Sequence, residues 1–227
     1  MRTQETKISR HLVEYLDKPV TIGIMLNLLS SVRKKLRIAS TLLAKYVAHL
    51  DPNTLTVLGL SLSMLTPMAA YLTKNSLIVA ATASLAMLMD ALDGSVARLR
   101  GETTALGAFL DSLSDRLSDA LLVLAFYPLG CDYLLIYLVT TFSMTTSYIR
   151  ARAESLGLKG LADVGLMTRE FRSFGILIAY IVHYLLGIKA ANYTLLVLLL
   201  GLCVTVIQRS YYVIKSLKRS IRRVESM

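Results

Sequence analysis

Five aspartates stand where aspartates are expensive. Asp90, Asp93, Asp111, Asp115 and Asp119 fall in or beside long apolar runs. A charge at the centre of a membrane helix costs about 2.5–3.5 kcal/mol on insertion scales. Pairing with Arg98 or Arg116 excuses one or two of them, not all. Asp90 and Asp93 are three residues apart, Asp111 and Asp115 four, so each pair shares a helix face. A short turn joins the two runs, which makes them antiparallel neighbours with both pairs near one end. Four converging carboxylates repel one another. A divalent cation resolves that, and an all-oxygen ligand set suits Mg²⁺, Mn²⁺ or Ca²⁺. Gly94 and Ala97 continue the first aspartate face, and Gly107 lies one turn before Asp111. Such small residues either leave room for a ligand close to the backbone or serve tight helix packing; taken alone, both readings stand.

The elements that position these groups are membrane elements. The chain has 227 residues, 55% of them hydrophobic and 18% charged, with a mean hydropathy of +0.57. A soluble domain is nearer 45–50% apolar and about 25% charged. Disorder and collagen are excluded, and Cys131 and Cys203 make neither a disulfide framework nor a metal spacing. Six apolar stretches of spanning length can be drawn: roughly 54–73, 76–97, 104–127, 133–150, 173–188 and 191–213. Of the 25 Lys and Arg, Arg116 lies within the third stretch. Only Lys74 and Lys189 fall on one side, and the remaining 22 on the other. That asymmetry puts both termini in the cytoplasm, and the net charge of +10 reads as basic flanks on anionic lipid rather than a nucleic-acid surface. Residues 29–48 alternate basic and apolar at helical spacing and predict an amphipathic interfacial helix. Asp51 and Pro52 then cap the first membrane helix. The expected architecture is all-α. It has a cytoplasmic segment 1–50 with the interfacial helix, a six-helix transmembrane catalytic domain 51–213, and a basic tail 214–227. A multi-pass protein of the cell membrane is expected, with its active site on the cytoplasmic side.

Residues 90–115 read DALDGSVARLRGETTALGAFLDSLSD. This resembles the signature of the CDP-alcohol phosphatidyltransferases, D-x2-D-G-x2-A-R, eight residues, G-x3-D-x3-D. Asp90, Asp93, Gly94, Ala97, Arg98, Gly107, Asp111 and Asp115 fill every fixed position. The likeness extends to the six-helix plan, the interfacial helix, and Pro52, Asn53 and Thr56 at the start of the first span. The resemblance implies a reaction in which an acceptor hydroxyl attacks the lipid-side phosphorus of a CDP-linked lipid and CMP leaves. It implies metal held by Asp90, Asp93 and Asp111, Mg²⁺ or Mn²⁺, with Asp115 as the general base that also touches metal. It assigns Asn53, Thr56, Gly94, Ala97, Arg98, Thr104 and Gly107 to the CDP-lipid, and it implies a homodimer. Asp119 is expected to stand behind the ligands as a partner of Arg116.

The acceptor is read from residues 145–173, which carry Ser147, Arg150, Arg152, Arg169 and Arg172. One reading is a solvated basic loop. The other is a pocket for a phosphate monoester, because arginine forks suit phosphate geometry. The run SYIRARAE followed by G-L-x2-R-x2-R is similar to the inositol-phosphate branch of the family, which makes phosphatidylinositol phosphate or archaetidylinositol phosphate. Residues 169–172 read R-E-F-R where that branch reads R-x-E-R, and glycerol 3-phosphate synthases share much of the pattern. The resemblance therefore implies a phosphorylated polyol, inositol phosphate or glycerol 3-phosphate. Two other classes fit less well. An intramembrane prenyltransferase needs a second aspartate-rich motif, and a cation transporter is expected to show repeats or broken helices at the midplane.

Overall fold

The structure is a computed structural model that describes residues 40–102, 104–158 and 164–225, with side chains to Arg219. Six long helices follow one another: α1 (Pro52–Thr73), α2 (Ser76–Arg100), α3 (Ala105–Leu124), α4 (Tyr133–Ser155), α5 (Arg169–Leu186) and α6 (Ile188–Glu225). No strand occurs among the described residues. Most of the predicted interfacial helix, residues 29–39, lies outside the described residues. Its last turn, 40–44, is helical, and Ala44 packs with Leu55, Leu92 and Val96.

Local chemistry sets the helix ends. The Asp51 side chain accepts from the Asn53 amide, with Pro52 in the first turn. Asn75, Thr104 and Asp132 cap α2, α3 and α4 in the same way, each through its side-chain oxygen. The turn between α5 and α6 is a single residue, Gly187, at φ +81°, a backbone region that glycine enters without a steric penalty.

Three helices are long and apolar enough to cross a membrane: α1, α2 and α6. The other three are diluted by charge. Asp111, Asp115, Arg116 and Asp119 sit on α3, Arg150, Arg152 and Glu154 on α4, and Arg169, Glu170 and Arg172 on α5. Those charges lie on the helices that carry the candidate site. Polar side chains are buried among the apolar ones, and many large apolar side chains face outward. Ser63, Thr66, Asp93, Ser143, Thr146 and Thr205 are buried, while Val57, Leu72, Leu185, Val197 and Ile207 are exposed. An outer surface this apolar is what a lipid solvent selects.

One packing detail differs from the sequence expectation. α2 and α3 touch only slightly; α1 lies against both and braces them, while α5 packs on α2 and α6 packs on α4 and α5. The core away from the site is apolar and aromatic. Tyr180 stacks on Phe126 with ring centroids 4.2 Å apart, and its hydroxyl donates to the Leu122 carbonyl.

Candidate active site

On the last turns of α2 and the first turns of α3, carboxylates meet. One oxygen from each of Asp90, Asp93 and Asp111 lies within 4.8 Å of the others. Two donors that share one divalent cation at about 2.1–2.6 Å stand no more than about 5 Å apart, so these three residues fit such an ion. Asp93 is buried and both its oxygens are held: Thr56 donates to Oδ2 at 2.6 Å and the Gly94 amide to Oδ1. The α1 hydroxyl and the α2 backbone thereby fix the orientation of a carboxylate that faces Asp90 and Asp111.

Asp115, the fourth expected ligand, is not in this cluster of three but lies beside Asp90. Its Oδ1 lies 2.5 Å from Arg169 Nη2, the first residue of α5. The same nitrogen donates to Asp90 Oδ2 at 2.8 Å. Arg169 thus joins a residue of the triad to the fourth aspartate. One turn further on, Asp119 pairs with Arg172, and both are buried. The expected partner, Arg116, instead donates within its own helix to the Ser112 carbonyl. Sequence placed Asp119 and Arg116 on neighbouring turns. The fold brings up a residue 53 positions away that can satisfy a charge inside the bundle, whereas Arg116 sits only half-buried.

The residues assigned to a CDP-lipid fall into two groups around the triad. Asn53, Thr104 and Gly107 gather at the start of α1 and α3. Thr104 Oγ1 accepts from the Gly107 amide at 3.0 Å, and a Cβ on Gly107 would come within 3.7 Å of Asn53 Oδ1. Gly94 and Arg98 form the second group with Thr56. A Cβ on Gly94 would stand 3.2 Å from Arg98 Nη1, so this glycine makes room for a guanidinium rather than for a neighbouring helix. Arg98 Nη2 donates to Ser95 Oγ at 3.1 Å, and Ser95 in turn reaches Ser40 of the preceding helical turn. Ala97 takes part through its backbone: its carbonyl accepts the amides that close α2.

The acceptor candidates divide. Arg150 and Arg152, at the exposed end of α4, are engaged locally, with Glu154 and Ser155 respectively. Ser147 is half-buried on the same helix. Arg169 and Arg172 face the aspartates. Two buried N–H donors are left there without a hydrogen-bond partner, Arg169 Nε and Arg172 Nε, while Asp115 Oδ1 has its ion pair with Arg169.

Sequence reading missed a set on α6. Arg209 is buried and donates to the carbonyls of Thr146 (2.6 Å) and Val164 (2.8 Å). Thr205 and Gln208 accept from the amides of Met167 and Leu166. The one sequence signal for them was a run of polar residues on the face of an otherwise apolar helix.

Residues 49–207 match the sequence model of the CDP-alcohol phosphatidyltransferases. The chain belongs to that family. It is a phospholipid-synthesis transferase with a membrane location. The alignment spans every residue of the site from Asn53 to Thr205. Archaetidylinositol phosphate synthase of Aeropyrum pernix is 34% identical over 185 residues, 81% of this chain and 93% of the relative. Phosphatidylinositol phosphate synthase of Mycobacteroides abscessus is 33% identical over 176 residues, 73% of this chain and 78% of the relative. Among solved structures, Mycobacterium tuberculosis phosphatidylinositol phosphate synthase with CDP-DAG bound superposes with a TM-score of 0.67 at 26% identity, covering 77% of this chain and 92% of that one. The same enzyme in complex with manganese and citrate gives 0.65 at 27% identity, covering 77% and 88%.

Proposed function

We propose that this CDP-alcohol phosphatidyltransferase moves the lipid phosphate of a CDP-linked diacylglycerol or archaeol onto a hydroxyl of inositol phosphate, releasing CMP. The observation that carries the acceptor reading is the pair of buried arginine donors without a partner, set beside Asp115. Arg169 Nε–H and Arg172 Nε–H offer donors to a phosphate, and Asp115, paired with Arg169, brings a carboxylate to the hydroxyl. A phosphorylated polyol supplies both partners in one molecule. A buried polar group left unpaired costs about 1–3 kcal/mol, so each of the two donors is biased toward such a ligand.

The chain's residues then divide the work. Asn53, Thr104, Gly107 and Arg98 hold the CDP end of the donor, with Arg98 pairing a phosphate. Asp90, Asp93 and Asp111 would hold Mg²⁺ or Mn²⁺, which supplies neutralisation of the charge on the pyrophosphate and on departing CMP. Thr56 and the Gly94 amide hold Asp93 in its ligating orientation. Arg169 and Arg172 orient the acceptor phosphate, and Arg209 stands behind Arg172, both of them donating to Thr146. The acceptor oxygen bonds to the lipid-side phosphorus, the bond from that phosphorus to CMP breaks, and the hydroxyl proton passes to an Asp115 oxygen. The names of the relatives, archaetidylinositol phosphate synthase and phosphatidylinositol phosphate synthase, support this acceptor and leave both lipids in play.

The reading includes six spans with the site and both termini on the cytoplasmic side. Exposed tyrosines support it. Tyr71, Tyr127, Tyr133, Tyr184 and Tyr193 lie near one set of helix ends, and Tyr148 and Tyr211 lie further along α4 and α6 toward the other side, as in interfacial aromatic belts. Tyr193 and Tyr211 are 18 residues apart on α6, about 27 Å at 1.5 Å per residue, close to one bilayer core. The homodimer implied by the resemblance belongs to this proposal as well.

The test is CMP release by purified protein with a CDP-lipid, Mg²⁺ or Mn²⁺, and separately inositol phosphate, glycerol 3-phosphate, inositol or serine. Release with inositol phosphate is expected. Release with glycerol 3-phosphate alone would move the acceptor, and release with inositol or serine alone would remove the role given to the arginines.

A further inference from the structure

We infer that Thr205 on α6 is a positioning residue for the acceptor: it seats the segment 164–168 so that α5 begins with Arg169 facing the aspartates. This rests on the acceptor reading above and goes beyond it, since Thr205 touches neither donor nor acceptor in that scheme.

The segment 164–168 has no regular secondary structure, so its backbone groups must find partners elsewhere. They find them on α6. The Val164 carbonyl accepts from Arg209 Nε, the Leu166 amide donates to Gln208 Oε1 at 3.1 Å, and the Met167 amide donates to Thr205 Oγ1 at 2.8 Å. Residues 201, 205 and 208 follow helical spacing, so they share one face of α6. At the top of that face, Gly201 receives Met167: a Cβ there would stand 2.6 Å from Met167 Cε.

Thr205 is the centre of this seat and uses both branches of its side chain. It is fully buried. Its hydroxyl donates to the Gly201 carbonyl at 2.8 Å, which fixes the rotamer and leaves a lone pair for the Met167 amide. Its methyl lies against Gly165, where an added Cβ would come within 2.4 Å of Cγ2. Gly165 has φ +113°, a conformation that side chains rarely adopt. The hydroxyl sets the height of Met167 and the methyl sets the path of Gly165. Thr168 follows Met167, is itself buried, and precedes Arg169. Two residues therefore separate the Thr205 hydrogen bond from the guanidinium that bridges Asp90 and Asp115. An amide that loses its partner lets that short lever move. A displacement of about 1 Å in a positioning group can cost on the order of a hundredfold.

Thr205→Val keeps the shape and removes the hydrogen bond; Thr205→Ser keeps the bond and removes the methyl. Two readouts are taken on purified protein in detergent. One is hydrogen exchange of peptides covering 164–170. The other is the KM for each substrate in the CMP-release assay with inositol phosphate and with glycerol 3-phosphate. In Thr205→Val, exchange at 164–170 is expected to rise and the acceptor KM to increase on the order of tenfold, with the donor KM within about twofold. Thr205→Ser is expected to recover most of the acceptor KM. Unchanged exchange in the valine variant, or raised exchange with an unchanged acceptor KM, overturns the inference alone. Donor and acceptor constants rising together in both variants would also overturn it, since that is general loosening of the fold. A wild-type protein that takes no phosphorylated acceptor overturns the functional reading, and this one with it.

Discussion

Replacing Thr56 by valine removes one hydroxyl and nearly nothing else, and the structure says what that hydroxyl does. It donates to Asp93 Oδ2 at 2.6 Å, with Thr56 8% and Asp93 1% exposed. Little water can take its place. A hydrogen bond to a charged group contributes about 1.5–3 kcal/mol, and loss of a group that orients a metal ligand costs about 10–100-fold in metal affinity. The two figures agree, since 1.4 kcal/mol is about a factor of ten. The Mn²⁺ concentration that half-activates CMP release should therefore rise roughly ten- to a hundredfold in Thr56→Val. At saturating metal the acceptor KM should stay within about twofold, and Thr56→Ser should titrate nearly as wild type. The family signature assigns Thr56 to the CDP-lipid, which predicts a different pattern: a raised donor KM and an unmoved metal midpoint. That second pattern would refute the role derived from the Thr56–Asp93 contact.

Other perturbations follow from the same geometry. Asp119→Ala leaves the buried Arg172 guanidinium without its ion partner, a change that costs about 3–5 kcal/mol; a marked fall in the thermal unfolding midpoint in detergent is expected, and an unchanged midpoint contradicts the pairing. Gly165→Ala forces a side chain into φ +113° and against Thr205; it should raise the acceptor KM more than Thr205→Val does, and an acceptor KM like wild type counts against the packing described. Cys131, in the turn between α3 and α4, is buried beside Asp132, and burial first and that carboxylate second push its thiol up to about 11. A raised thiol value keeps the unreactive protonated form. In a Cys203→Ser background, maleimide labelling at pH 8 should be slower than for a free thiol and should accelerate toward pH 11, and fast labelling at pH 8 would contradict that environment.

Much of the site was legible because its residues are near in sequence. Asp90, Asp93, Asp111 and Asp115 lie within 26 positions on two consecutive helices, so helical periodicity alone put them at one end. The apolar runs gave the helices to within a few residues at most ends. The last is the exception: α6 continues unbroken to Glu225, past the expected limit at 213, because no glycine or proline interrupts the tail. What sequence could not supply was long-range pairing. Nothing in the run around Asp119 says that α5 will bring Arg172 to it rather than leave Arg116 as its partner. Nor does spacing say that Asp115, on the face of Asp111, will be met by Arg169. The α6 residues were missed for the same reason. Thr205, Gln208 and Arg209 act on backbone groups about 40 positions away, and backbone partners leave no mark in a residue pattern.

The central claim is that the lipid phosphate is handed to an acceptor that already carries a phosphate held by the arginines of α5. Mass analysis of the lipid product tests it directly. Protein is incubated with a CDP-lipid, Mn²⁺, and an equimolar mixture of inositol and inositol phosphate. The account predicts a lipid that retains the acceptor's own phosphate in addition to the phosphodiester, and its loss in Asp115→Asn. A lipid carrying unphosphorylated inositol, or the same product from Asp115→Asn at the wild-type rate, would contradict it.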